Sequence, residues 1–254
     1  MNVLRTSLLS LVLAPAALVA ATAKTPAPAF DSSIIAGLGA RNIGSAAMSG
    51  RISSLDAVTM PDGKLMVWVG AASGGVWKSL DGATTFTPVF DDQPVQSIGA
   101  VEIDKRNTET VWVGTGEAWT RNSVSIGNGI YKTTDGGDTW QHLGLDGSER
   151  ISDIRIDPRA SDTVYACVTG RLWSDSLERG VYRTRDGGKT WQQVLKAPNA
   201  STGCASLSMD EKNPDVLYAA LWDFRRKGWT FRSGGESPTA PSATALLVTR
   251  DGGQ

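Results

Sequence analysis

Short apolar or alternating runs recur along the chain, each bounded by Gly, Asp, Asn or Pro and each too short for an ordinary helix. One series covers residues 52–58, 98–104, 151–157 and 204–210. A second reads Met66-Val-Trp-Val-Gly70, Val111-Trp-Val-Gly114, Val164-Tyr-Ala-Cys167 and Leu217-Tyr-Ala-Ala220. A third run leads into a Gly-rich turn, and a fourth starts at an aromatic, as in residues 140–143 and 191–195. β-Branched and aromatic residues dominate these runs, so each is expected to be a strand. Four strands joined by short turns predict an antiparallel sheet that repeats.

The turn after the third run carries the repeat. It reads Ser/Thr-x-Asp-x-Gly-x-Thr-Trp/Phe, or close to it, around Asp81, Asp135 and Asp186, and is cut short around Asp251. These aspartates lie 54, 51 and 65 residues apart (135−81, 186−135, 251−186). Repeats of that period built from strands predict a β-propeller. The expected fold class is therefore all-β, with blades at about 50–90, 97–144 and 150–195 and part of a fourth at 203–254. Further blades are expected beyond Gln254, because an unfinished fourth blade leaves an open sheet edge. Each turn has a local physical logic. The carboxylate accepts hydrogen bonds from turn amides, Gly supplies positive φ, Thr ties the turn back, and the aromatic plugs the space between sheets.

Aligning the repeats assigns packing roles to residues that would otherwise suggest catalysis. Tyr165 and Tyr218 fall in the column of Trp68 and Trp112, and Tyr131 and Tyr182 in that of Trp77. Cys204 shares a column with Ile52, Ile98 and Ile151, and Cys167 with Gly70, Gly114 and Ala220. Both cysteines are expected to be buried free thiols, with a Cys167–Cys204 disulfide as the alternative that export would permit. The one histidine, His142, cannot supply a multi-histidine metal site, and no nucleophile elbow or phosphate loop is present. No metal and no cofactor are expected.

The N-terminus follows a different pattern. Arg5 precedes an apolar stretch at 8–21 and small residues at 21–23, which predicts a signal peptide over 1–23 and a Pro/Ala linker over 24–39. The apolar stretch is too short for a membrane span. A secreted or periplasmic protein is expected, with no transmembrane segment. The formal net charge of -1 gives no electrostatic footprint for nucleic acid.

Candidate chemistry lies between the second and third strands. That connection is short in blade one (70–75) and long in the other blades (115–128, 169–179 and 221–243). Insertions confined to one point of a repeat emerge on one face and commonly form a binding surface. They carry Glu117, Trp119, Arg121, Asn122, Arg171, Trp173, Glu178, Arg179, Trp222, Arg225 and Arg226. Trp and Arg anchor protein and peptide interfaces, and aromatic faces stack on sugars, so a protein, peptide or glycan ligand is expected. The same residues could instead pack the loops together. Glu117 is the best candidate for a catalytic acid, with Asp175, Glu178 or a residue of a further blade as partner, or else a salt-bridge partner of Arg121.

The segments Arg41-Asn-Ile-Gly44, Ser49-Gly-Arg-Ile52, Ala72-Ser-Gly-Gly-Val-Trp-Lys78, Val113-Gly-Thr-Gly-Glu-Ala118 and Arg121-Asn-Ser-Val-Ser125 are similar to one group. The chain resembles exported bacterial Asp-box (BNR) repeat β-propellers of the sortilin-like or glycosyl-hydrolase-like kind. The resemblance implies a binding scaffold, or alternatively a glycoside hydrolase working with paired carboxylates. In related xyloglucan hydrolases an early Asp is catalytic, and the matching position here is Ala72. Sialidases use an arginine triad, of which Arg41 and Arg51 are similar to the first member.

Overall fold

The computed structural model describes residues 51–235 and 239–254. The expected signal peptide (1–23), the linker (24–39) and Arg41 lie outside the described residues. Within them the chain forms four antiparallel sheets of four strands each. Blade one is β1 (Ile52–Thr59), β2 (Leu65–Ala71), β3 (Val76–Ser79) and β4 (Thr87–Pro88). Blade two is β5 (Ile98–Ile103), β6 (Val111–Thr115), β7 (Ile130–Thr133) and β8 (Gln141–His142). Blade three is β9 (Ile151–Asp157), β10 (Ala160–Val168), β11 (Gly180–Thr184) and β12 (Gln192–Lys196). The first strands of neighbouring blades touch, so they form the inner edge of the array.

Blade four departs from the expected plan. It is β13 (Thr202–Met209), β14 (Leu217–Lys227), β15 (Thr230–Ser233) and β16 (Ala245–Thr249). The first half of β14 pairs with β13 and β16, as a second strand should. Its second half runs beyond the blade and pairs with β15, from Phe224↔Ser233 to Lys227↔Thr230. Residues 221–243, expected as a loop, thus begin as a hairpin. Trp222 packs on Phe224 and Phe231, and this aromatic cluster makes the extended pairing favourable.

Neighbouring blades are joined by large residues at one radius and small ones at another. Trp140, from the Asp-box of blade two, reaches back to blade one. Its Nε1 donates to Val89 O at 2.6 Å, and its ring meets Trp68 and Phe90 edge-on. Trp191 repeats this against blade two, donating to Leu143 O at 2.8 Å and meeting Trp112 edge-on. Closer to the inner strands the gap is narrow. A Cβ on Gly70 would lie 2.6 Å from Ile98, and one on Gly114 would lie 2.5 Å from Ile151.

The same columns meet at the third junction as Cys167 and Cys204. These are not free thiols: they form a disulfide that joins blade three to blade four. The expectation of free thiols fails because both columns are core columns and the two columns are in contact. Where the other junctions set Gly under Ile, this one places two sulfurs within bonding distance.

The Asp-box turns share one hydrogen-bond pattern. In blade two, Asp135 Oδ1 accepts from Thr133 Oγ1 at 2.7 Å and from Thr139 N at 2.9 Å, while Gly137 N donates to Thr133 Oγ1 at 3.0 Å. Blade three repeats these bonds around Asp186. Hydrogen bonds to the ionised form hold Asp81 down at about 2 and place Asp135 and Asp186 well below the carboxylate range.

If the disulfide occupies a Gly/Ile slot, the double variant Cys167→Gly, Cys204→Ile should fold normally. Reductant should lower the melting temperature of the wild-type chain and leave that of the double variant unchanged. Calorimetry with and without reductant measures both.

Candidate functional site

The connections between second and third strands meet on one face. Glu117 follows Gly116, whose φ of 87° turns the chain inward after β6. Its amide donates to Ser97 Oγ at 3.0 Å, and its side chain is wholly buried. Arg51 grips both carboxylate oxygens, Nε to Oε1 at 2.8 Å and Nη2 to Oε2 at 2.5 Å. The partner is thus Arg51 of blade one and not Arg121, which is exposed. A buried carboxylate held bidentately by a guanidinium is a clamp between blades and is poorly placed to deliver a proton.

The β14–β15 hairpin spans this face. Arg225 pairs with Asp175 of the blade-three connection, and Arg226 N donates to Leu172 O at 3.2 Å. Arg226 Nε donates to Asn122 Oδ1 at 2.6 Å, and Asn122 Nδ2 to Gly228 O at 3.5 Å. The hairpin therefore reaches the blade-two connection. Arg179 is buried, donates to the carbonyls of Thr169, Arg171 and Ser174, and lies 4.7 Å from the Phe224 ring centre. Burial lowers its pKa to about 10. Trp222 is half-buried and donates to Ser233 Oγ at 2.8 Å. Glu178 accepts from Ser176 Oγ at 2.8 Å, which lowers its pKa, and Arg171 lies 3.6 Å from Glu149. Trp119, Trp173 and Trp229 are 63%, 44% and 86% exposed.

The candidate residues thus divide. Glu117, Arg179 and Trp222 belong to the packing, and Asn122, Arg225 and Arg226 hold the hairpin. Trp119, Arg121, Arg171 and Trp173 face solvent, joined by Trp229. His142 Nε2 contacts Asn128 O at 2.8 Å and its ring lies against Tyr131. Among the described residues no group of three or more His, Cys, Asp or Glu has the geometry of a metal site. Ala72 is buried, with its amide donating to Arg51 O at 2.9 Å.

A second charged region lines the inner strands. A cavity of about 530 Å³ is bordered by Asp56, Glu102, Lys105, Arg155 and Ser208 among others. Asp56, Glu102 and Arg155 occupy the same register, opposite Trp68, Trp112 and Tyr165. Asp56 Oδ2 accepts from Ile103 N at 2.7 Å and Asp153 Oδ2 from Leu207 N at 3.0 Å, which ties each inner strand to the next blade. Burial pushes Glu102 up to about 8, and Arg155 at 3.2 Å opposes that only in part. Asp56 and Asp153 add to the rise. The repeat alignment gave no sign of this cluster, because it forms between blades.

The family model Sortilin-Vps10, described as "Sortilin, neurotensin receptor 3", matches residues 128–254. The chain belongs to the sortilin–Vps10 family. Among curated proteins, this sortilin–Vps10 chain is 25% identical over 222 residues to the oligoxyloglucan-reducing end-specific xyloglucanase of Emericella nidulans, covering 74% of this chain and 25% of that protein. It is 35% identical over 81 residues to a probable enzyme of the same description from Neosartorya fischeri, covering 30% of this chain and 9% of that protein. It thus spans about a quarter, or less, of the relatives it matches. Among solved structures, the GH74 enzyme of Niastella koreensis superposes with a TM-score of 0.53 at 21% identity, covering 74% of this chain and 27% of that one. The GH74 xyloglucanase of Xanthomonas campestris gives 0.53 at 15%, covering 81% and 30%. These likenesses establish the propeller fold. No helix among the described residues is long and apolar enough to cross a membrane.

Arg51→Ala should cost about 3 kcal/mol, because it leaves Glu117 buried and unpaired. Glu117→Gln should recover part of that loss in the Arg51→Ala background, and a double-mutant cycle by denaturant unfolding measures the coupling. Glu102 makes a pH prediction. Its folded pKa lies above its unfolded value, so the folded state binds the extra proton and stability should fall as pH rises from about 5 to about 8. Glu102→Gln should flatten that slope, read from melting temperature against pH.

Proposed function

We propose that the chain is the ligand-binding wall of an exported propeller, and that it takes a glycan chain on the face crossed by the β14–β15 hairpin. The observation that carries this is the exposure of Trp119, Trp173 and Trp229 beside the hairpin contacts, where Asp175 pairs with Arg225 and Asn122 accepts from Arg226. Indole faces stack on sugar rings without needing a charged partner. Relatives named as xyloglucanases support a glucan-type ligand. Arg121 and Arg171 stand at the edge of this surface and would donate to hydroxyls.

Glycoside hydrolysis is the second reading, favoured by those same names. Inverting or retaining hydrolysis needs two carboxylates at a defined separation, one of them free to carry a proton. Glu117 is held by Arg51, Asp175 pairs with Arg225, and Asp223 accepts from Ser201 Oγ and lies 3.3 Å from Arg232. On that reading the pair would draw on Glu178, which is bonded to Ser176 Oγ, or on carboxylates outside this set.

Binding of xyloglucan oligosaccharides, measured by calorimetry beside a panel of unrelated peptides, tests this reading. Trp119→Ala and Trp229→Ala should each weaken glycan binding about tenfold, a loss of about 1.4 kcal/mol. Unchanged affinity in both would remove the site from this face. Turnover that Glu117→Gln abolishes in a folded protein would favour the hydrolase. Saturable peptide binding lost in the Trp variants would make the ligand a peptide.

A further inference from the structure

The loop face carries an unbalanced charge. Its three long connections (115–128, 169–179 and 221–243) hold seven Lys and Arg against five Asp and Glu, a surplus of two (7−5) on a chain whose formal net charge is -1. The described acids among them are engaged: Glu117 by Arg51, Asp175 by Arg225, Asp223 by Arg232 and Glu178 by Ser176 Oγ. The charge left over is cationic, and Asn122 gathers it. Its Oδ1 accepts from Arg226 Nε at 2.6 Å and its Nδ2 donates to Gly228 O at 3.5 Å, which sets the hairpin tip beside the blade-two connection. Arg121 and Lys227 stand next to these contacts in the chain, and both are exposed. Arg121, Arg226 and Lys227 form no ion pair with an acid among the described residues.

Exposed aromatic rings alternate with these cations. Trp119 stands two residues before Arg121, whose amide donates to Trp119 O at 2.9 Å, and Trp229 stands two residues after Lys227. Phe231 pairs across the hairpin with Arg226, whose guanidinium lies 5.7 Å from the ring centre. The surplus continues beneath the surface. Arg150 and Arg171 share one carboxylate, Glu149, at 2.9 Å and 3.6 Å. Arg150 is buried between two of the connections, with Gly127 N donating to Glu149 O at 2.8 Å and Thr169 N to Arg150 O at 3.1 Å. Its Nε and Nη2 find no acceptor in the chain. A buried charge is screened less than an exposed one, so Arg150 adds to the positive potential over this face.

We propose that the glycan taken on this face is acidic, a chain whose sugars carry carboxylates. This rests on the glycan reading above and names the chemical class of its ligand. A uronic-acid chain presents in turn what the cluster at Asn122 can receive: ring faces for Trp119 and Trp229, and carboxylates for Arg121 and Lys227. A neutral chain would satisfy the indoles and leave both cations to water. Guanidinium and ammonium groups form their strongest hydrogen bonds with ionised oxygens, so the carboxylate adds both affinity and register. The charge asymmetry also orients the approach. The connections are positive and the remainder of the chain is negative, so an anionic chain is drawn to this face and repelled elsewhere.

The test is titration calorimetry on the full chain with three probes: an oligogalacturonate, a neutral xyloglucan oligosaccharide and a glutamate peptide matched in charge to the oligogalacturonate. At about 0.05 M salt the oligogalacturonate should bind about tenfold more tightly than the neutral sugar, and the gap should close by about 0.5 M, where screening acts within about 4 Å. Lys227→Gln should keep the wild-type melting temperature and cut the ratio of the two sugar affinities about fivefold, the upper end for one exposed ion pair. Equal affinities for the two sugars at low salt, both weakened by Trp119→Ala, would overturn the acidic assignment and keep the glycan reading. No binding of either sugar overturns both. A peptide that binds as tightly as the oligogalacturonate, and whose binding survives Trp119→Ala, also overturns the proposal, since charge alone would then suffice.

Discussion

Sheets that radiate from a common centre diverge, so the gap between them is narrow near the inner strands and wide further out. Every junction in this protein must fill a wedge. At the narrow end Gly70 and Gly114 lie beneath Ile98 and Ile151, with no room for a Cβ. At the wide end Trp140 and Trp191 enter, each held by an N–H bond to the preceding blade. The indole does two things at once. It fills volume that smaller residues would leave empty, at a cost that grows with the void, and its hydrogen bond sets the rotation of one sheet on the next. Because the indole leads directly from the Asp-box, the turn's tight bonding also fixes where the plug enters. The disulfide at the third junction occupies the narrow end, where two small polarizable side chains replace the Gly/Ile pair.

That geometry decides what the loop face can do. With the blades held at both radii, the connections between second and third strands can lengthen without disturbing the sheets. The longest becomes the β14–β15 hairpin, and its Arg225 and Arg226 reach the connections of blades three and two. Arg51 and Glu117 join blades one and two beneath the same face. The face is therefore cross-linked by two ion pairs and by the Arg226–Asn122 hydrogen bond, a rigidity that would limit the entropy lost by the proposed ligand complex.

Much of the fold was legible in the sequence because the Asp-box is local: Asp135, Thr139 and Trp140 lie within six residues, and their spacing alone implies the turn. The strand columns were legible for the same reason. What escaped are contacts between columns. Arg51 and Glu117 are 66 residues apart, and the nearer Arg121 was the natural partner to expect. Cys204 falls in an apolar core column and Cys167 in a small-residue column, but only blade-to-blade packing shows that the columns touch. The rise in the Glu102 pKa comes first from burial between the blades, to which Asp56 and Asp153 from the blades on either side add. The β14–β15 hairpin was hidden in a segment whose length suggested a loop, although the alternation of Trp222, Phe224 and Arg226 carries the period of a strand.

The division of charge and aromatic surface on the loop face also separates recognition from catalysis. A general acid or nucleophile must be able to change its protonation or bonding state as the reaction proceeds. Both Glu117 carboxylate oxygens are engaged by Arg51 in the bidentate pair that joins two blades, so the residue is part of the scaffold. The side chains of Trp119, Trp173 and Trp229 take no part in the contacts that hold the hairpin, the Arg225–Asp175 pair and the Arg226–Asn122 hydrogen bond. On the proposed function, a surface whose charges serve the scaffold and whose aromatic faces are left to solvent would stack against a glycan. Any proton transfer on such a partner would have to come from carboxylates that the packing of these four blades does not already use.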